Sequence, residues 1–348
     1  MSKESQTWLE NNILVGFTAK RGEAWWSRGV SREDGTPNHF EGAIPVETVK
    51  TKLFDWTAVA RRVAVEKPAT LENMTHFGDN GEPLRWAVQA DRQAIDTSDT
   101  AETMGFFKSG YRAHQYQEWL LGNVATILDD ELQISSAGLL RNRAQAWVEV
   151  SMPETMMGPA GIAFRPNLLA CTSFDGTLAT TTKRTITAVV CDNTLHAALG
   201  TGGGTFKVRH SKNSGMKIAK AREALGIVYN LADEFTAALE GLTAQKISPI
   251  QFRTVLDALV PVDDSMAKMT ITKANAKRDK LSAMYLHDPR VAPWAGTGFG
   301  VLQAFNTYEQ HERGLNKATI RAERNMLDTL SGASERADAE VLEVLAAL

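Results

Sequence analysis

The chain has 348 residues, of which 43% are hydrophobic and 23% charged, and a formal net charge of -3. This is an ordinary globular balance with enough length for a real core, and it excludes a global polycation that grips nucleic acid by charge alone. Two cysteines, Cys171 and Cys191, exclude a disulfide scaffold and a four-thiolate zinc site.

The opening stretch MSKESQTWLENN has no apolar core of the signal-peptide kind. No run approaches the roughly 18 apolar residues of a membrane helix. The expectation is a soluble, cytoplasmic chain. Residues 1–43 are mixed, with AWWSRG at Ala24–Gly29 and a turn-rich SREDGTPN at Ser31–Asn38. From Ile44 to Trp56 a helix is predicted, with Pro45 at its start, Glu47 in its first turn and Val46, Val49, Leu53 and Trp56 on one stripe. Thr57–Glu66 and Leu84–Ile95 read as strands, the second entered through the turn signal GDNGEP. Glu102–His114 extends the sheet, and Gln115–Asp130 reads as a helix.

A second sheet block follows. Ile134–Glu154 reads as a hairpin or meander, and Asn167–Leu195 as two strands around Asp175-Gly176. Asp-Gly between β-rich flanks is a hairpin signal because glycine accepts positive φ without strain. Lys217–Leu242 is predicted as a long helix with Ile218, Ala221, Leu225, Val228 and Leu231 on one face. From Ser248 onward the pattern is helical. The reading is therefore α+β: a β-rich meander sheet packed with helices over residues 1–245, then a helical region over 246–348.

VVCDNTLHAALGTGGG, Val189–Gly204, places Cys191, Asp192, Asn193 and Thr194 at a strand end. A nucleophilic cysteine needs a base or a helix N-terminus to lower its pKa. His196 is near in sequence, but no triad is complete. The plainer reading is a buried Cys191 with Asn193 and Thr194 capping a turn. The glycine run lacks both GxxxxGK[ST] and GxGxxG spacing, so it reads as a loop. The seven histidines show no HExxH and no metal-ligand spacing, so no metal and no cofactor are expected. Tyr308 and His311, near Glu309 and Glu312, leave an acid–base role open.

Charge is more informative. Thr201–Arg222 contains Lys207, Arg209, Lys212, Lys217, Lys220 and Arg222 with no acidic residue, and Lys183 and Arg184 lie upstream. Such a stretch suits backbone phosphates, or is a solvated face. If Leu139–Val150 is one strand, Arg141, Arg143, Gln145, Trp147 and Glu149 share a face. Two arginines and an indole suit a single-stranded nucleic acid, with cations on phosphate and a ring under a base. The alternative is a tryptophan packed under a helix.

Several stretches together resemble the phage/plasmid-like protein family of unknown function, found in phages, prophages and mobile elements. They are GYRAHQYQEWL, ISSAGLLRNRAQAWVEVSMPE, SFDGTLA, AVVCDNTLHAAL, VRHSKNSGMKIAKAREALG and AFNTYEQHE, which together span roughly residues 100–312. Asp175, Gly176, Cys191, Asn193, Thr194 and His210 occupy its motif positions. The family commonly has His before Asp-Gly; this chain has Phe174. More loosely, the element order is similar to the β-β-β-α core of Rad-type and RecT-like single-strand annealing proteins, which bind DNA in a basic groove and anneal without a cofactor.

The expectation is a phage-encoded protein of the host cytoplasm that binds single-stranded nucleic acid in recombination or replication. Arg141, Arg143, Lys183, Arg184, Lys207, Arg209, Lys212 and Lys217 would contact phosphates, and Trp147 a base. An enzyme using Asp175, Cys191, Asn193 and His210 is the alternative, and a structural or host-interaction protein that self-assembles is the third. Homo-oligomerisation is expected in each case.

Overall fold

The structure, a computed structural model, describes residues 3–24, 26, 27, 29, 32–66, 86–128, 132–188, 193–196, 205–208, 228–314 and 321–348. The fold is α+β, as the sequence predicts. Helix α1 (Lys3–Asn12) leads into β1 (Ile13–Val15), and the short α2 (Thr18–Arg21) follows. Helix α3 (Val46–Leu53) starts behind Pro45, which sits at φ -62° with no donor to waste, and buries Val49 and Leu53. Strands β2 (Ala58–Glu66), β3 (Trp86–Thr97) and β4 (Thr103–Lys108) form a separate three-stranded antiparallel sheet in that order. A π-helical turn, Gln117–Leu121, then runs into α4 (Gly122–Ala125).

The large sheet is built from β1 and from β5 (Gln133–Leu140), β6 (Gln145–Ser151), β7 (Met156–Met157), β8 (Ala163–Ser173), β9 (Thr180–Ala188), β10 (Asn193–His196) and β11 (Thr205–Val208). Among the described residues its order is β1-β5-β6-β8-β9-β10, with β11 also on β9 and β7 on β8. The helical part comprises α5 (Val228–Ala244), α6 (Pro249–Leu259), α7 (Lys268–His287), α8 (Gly298–Thr307), α9 (Arg321–Ser331) and α10 (Ala333–Ala346). Helix α6 begins with a reciprocal Ser248/Gln251 capping box and Pro249 at its first position. Helix α8 runs into a second π-helical turn, Tyr308–Glu312.

Both faces of the large sheet are covered. Alternation along β6 sends Trp147 to one side, where it meets Leu169 and Cys171 of β8, Leu9 of α1 and Leu330 of α9. It sends Ala146, Val148 and Val150 to the other, against Leu53 of α3, Leu120 of the first π turn and Ile95 of the small sheet. Farther along, Phe164 and Ile186 pack under Phe235 and Leu239 of α5. That cluster continues through Val255, Leu281 and Phe299, so apolar packing crosses the boundary expected near Lys246. Gly138 makes room for the indole: a Cβ there would lie 2.1 Å from the Trp147 ring.

The hairpin or meander expected over Ile134–Glu154 is formed by β5 and β6; Leu139–Val150 is not one strand, because Arg141, Asn142 and Arg143 all take left-handed φ values of 47°, 53° and 71° and turn the chain there. Three consecutive non-glycine residues in that region are costly, and the surroundings must hold them there. The long helix expected from Lys217 is α5, described from Val228; Ile218, Ala221 and Leu225 lie outside the described residues.

Candidate nucleic-acid interface

The Arg/Trp strand face is not formed where it was expected. Trp147 is fully buried, and its indole Nε1 donates to Ser136 Oγ at 3.2 Å. Its ring is core, packed beneath helices, and offers no face to a base. Lys183 and Arg184 are buried as well. Lys183 Nζ donates to the Thr329 carbonyl and pairs with Glu335 at 3.2 Å. Arg184 pairs with Glu234 of α5 at 3.3 Å. Both cations fasten helices to the sheet, and neither reaches solvent to meet a phosphate. On the Trp147 face of β6 the carboxyl of Glu149 lies near Arg21 and Arg165 and accepts from Ser135 Oγ at 3.0 Å. Burial pushes its pKa up against the pull of those three groups.

Arg141 and Arg143 sit in the β5–β6 turn rather than on a strand face. Arg143 stacks 4.0 Å above the Trp56 ring and pairs with Asp99 at 2.9 Å. Its carbonyl accepts from Tyr116 OH at 2.9 Å, and Asn142 donates to Glu102. Arg141 is half exposed and lies 3.6 Å from Asp175. The strained turn is thus gripped by the β3–β4 connection on one side and by the Asp175 turn on the other.

Asp175 and Gly176 form the β8–β9 turn, as the sequence predicts. Asp175 accepts from the Thr177 N–H at 2.9 Å and from Gln145 Nε2 at 3.3 Å. Gly176 has φ +77°, and a Cβ would fall 2.9 Å from Phe107 of β4. Phe174, just before that turn, is buried and stacks on Tyr116 at 4.2 Å. This turn is a joint between the two sheets. Burial, with Asp175 close by, pushes the Tyr116 hydroxyl well above its ordinary value, and the same two causes raise Tyr111.

The Cys-x-Asn-Thr-Leu element divides differently from the expected cap. Asn193 and Thr194 open β10, with Asn193 opposite Ala188 and Thr194 opposite Thr187 of β9. Asn193 and Asp175 therefore belong to opposite ends of β9, which at about 3.4 Å per residue separates them by about 25 Å. They do not share a pocket. Cys191, Arg209, His210, Lys212 and Lys217 lie outside the described residues; Lys207 is placed in β11 opposite Thr181.

An exposed aromatic ringed by cations does exist, on the small sheet. Its inner face packs on the body through Ile95 and through Phe107, which stacks on Tyr111 at 3.9 Å. Its outer face carries Arg61, Ala94 and Phe106 in one row across the three strands, and Arg92 beside Lys108 in the next. Phe106 is 68% exposed. Arg61 lies 3.9 Å from Asp96 and Arg92 3.5 Å from Asp91, and both guanidinium groups remain about half exposed. The signal was present in the sequence: AVARRVAVE alternates, and GFFK places adjacent phenylalanines on opposite faces of a strand.

Residues 103–331 match the domain of unknown function DUF932, which is well over half of the chain. The chain belongs to the DUF932 family. No curated protein and no solved structure matches it. The DUF932 region begins at β4, so Phe106 and Lys108 belong to it while Arg61 and Arg92 precede it.

Within the DUF932 region, the second π turn is braced from below. Buried Arg324 donates to the carbonyls of Glu309 at 2.8 Å and Arg313 at 3.0 Å, and Asn325 to that of Gln310 at 3.1 Å. Glu309 pairs with Lys277 at 2.9 Å and Glu312 with Lys280 at 3.1 Å, so both carboxylates near His311 are engaged in ion pairs. Among the described residues no group of three or more His, Cys, Asp and Glu side chains is placed to hold a metal, and no helix is long and apolar enough to cross a membrane.

Proposed function

We propose that this DUF932 protein binds single-stranded nucleic acid on the outer face of its small sheet. The observation that supports the reading is Phe106, exposed on the edge strand β4 and sharing the outer face with Lys108 of the same strand, Arg92 of β3 and Arg61 of β2. An aromatic ring on a strand stacks on any base, while cations spaced along the strands follow the phosphates. Arg141, half exposed in the β5–β6 turn, adds a further cation, and the sequence from Thr201 to Arg222 supplies Lys207, Arg209, Lys212 and Lys217 with no acidic residue. The resemblance to mobile-element proteins supports a role in phage recombination or replication inside the host cytoplasm, with annealing of complementary strands as the specific form proposed.

The test is fluorescence anisotropy with labelled single- and double-stranded oligonucleotides at several salt concentrations. Single strands bind more tightly, and affinity falls steeply with salt. Phe106→Ala weakens binding by about 1–3 kcal/mol at every salt concentration. Arg61→Ala with Arg92→Ala lowers the salt slope by about one per lost phosphate contact. Absence of binding at low salt, or binding indifferent to all three substitutions, overturns the reading.

A further inference from the structure

Among the described residues the small sheet ends in an edge that no strand covers. Strand β2 pairs with β3 on one side, and among the described residues no strand lies on the other. Gln115 shows which way that edge faces. Its side-chain amide accepts from the Ala58 N–H and donates to the Ala58 carbonyl, both at 2.9 Å, so Ala58 turns its polar groups outward. The two-residue repeat of a strand carries the same direction to Ala60 and Arg62. The irregularity beyond Arg62 puts its extra residues on β3, so β2 carries the direction on to Ala64 and Glu66. Past the reach of Gln115, the outward groups of Ala60, Arg62 and Ala64 have no backbone partner among the described residues. Val65, on this ribbon, is 51% exposed. A strand edge whose backbone groups have no such partner is a template for strand addition.

The sequence of the edge selects its partner. When β2 is laid antiparallel on its own copy with Ala64 at the twofold axis, Arg62 falls opposite Glu66 of the partner subunit, and Glu66 opposite the partner's Arg62. Val63 falls opposite the partner's Val65, and the outward-facing residues 62, 64 and 66 meet outward-facing residues throughout. Within one strand, Arg62 and Glu66 are about 13 Å apart and cannot pair with each other. We infer that two copies of this chain join through β2, centred on Ala64, into one continuous six-stranded sheet. The contact is isologous and closes at two subunits. Cross-strand pairs of opposite charge and of β-branched residues are the units that stabilise such a junction.

The experiment is sedimentation velocity of the full chain over a range of concentrations, with circular dichroism to confirm the fold of each variant. The unmodified chain forms dimers as concentration rises. Arg62→Glu sets like charges opposite each other at two places and shifts the chain to monomer; Glu66→Arg does the same. The double variant R62E/E66R restores opposite charges and restores the dimer. Glu66 also has a polar contact of its own within the single chain, so the rescue carries the assignment rather than either loss. Ala64→Pro removes an outward donor without removing a bond to β3 and also gives monomer. A chain that stays monomeric at every concentration, a dimer that survives Arg62→Glu and Ala64→Pro, or a double variant that stays monomeric overturns the inference.

Discussion

The two sheets use similar residues for opposite purposes. The large sheet carries Trp147, Lys183 and Arg184 on its strands and encloses all three. The small sheet carries Phe106, Arg61 and Arg92 on its strands and leaves all three exposed among the described residues. Helices account for the difference. Helices α1 and α9 lie on one face of the large sheet, and α3, the first π turn and α5 on the other, whereas among the described residues no helix packs on the outer face of the small sheet. A cation beneath a helix finds a carboxylate on that helix and becomes a fastener. A cation on an uncovered face stays half hydrated and available to a ligand.

The sharpest way to break this comparison is to truncate the two aromatics. Trp147→Ala removes a fully buried indole and costs about 3–5 kcal/mol of stability, measured by chemical denaturation. Phe106→Ala changes stability by no more than about 0.5 kcal/mol and acts on oligonucleotide affinity instead. Equal losses of stability would mean that the small sheet has a covered face. Gly138→Ala comes next, since its methyl collides with the Trp147 ring; moving the indole costs about 1–3 kcal/mol, and the near-ultraviolet circular dichroism of that tryptophan changes with it.

The smallest effect is one of pH. Burial holds the Glu149 carboxyl above its unfolded value of 4.5, against the pull of Ser135, Arg21 and Arg165. A group whose folded pKa is raised contributes stability that is full below the unfolded value and is lost as pH rises through the folded one. Stability measured by urea melts therefore loses this contribution on going upward from 4.5, and Glu149→Gln removes that part of the slope. A variant whose profile overlays that of the unmodified chain would mean the carboxylate is solvated after all.

Much of the fold was legible in the residues. Pro45 with Glu47 announced α3, Asp175-Gly176 announced the β8–β9 turn, and alternation along β6 correctly divided Trp147 from Val148. What alternation does not carry is which face meets water, because that depends on helices far along the chain, such as Leu330 of α9 over Trp147. The β5–β6 turn was hidden for another reason. Arg-Asn-Arg has no glycine or proline, and its left-handed backbone is held by Asp99, Glu102 and Tyr116, which come from a different sheet and from the π turn. Phe106 was passed over because a phenylalanine in a strand reads as core until the sheet is seen to lack a cover.

Strands β10 and β11 lie end to end on the same edge of β9. His196 is opposite Thr185, and Thr205 is opposite Lys183, so residues 197–204 of the sequence span a place where β9 advances by the single residue Arg184. Register on either side is fixed by β9 and not by the length of the connection. An insertion between His196 and Thr205 is therefore expected to leave both pairings with β9 in place. This is where a reporter peptide can be spliced into the chain while both halves of the edge keep their pairing.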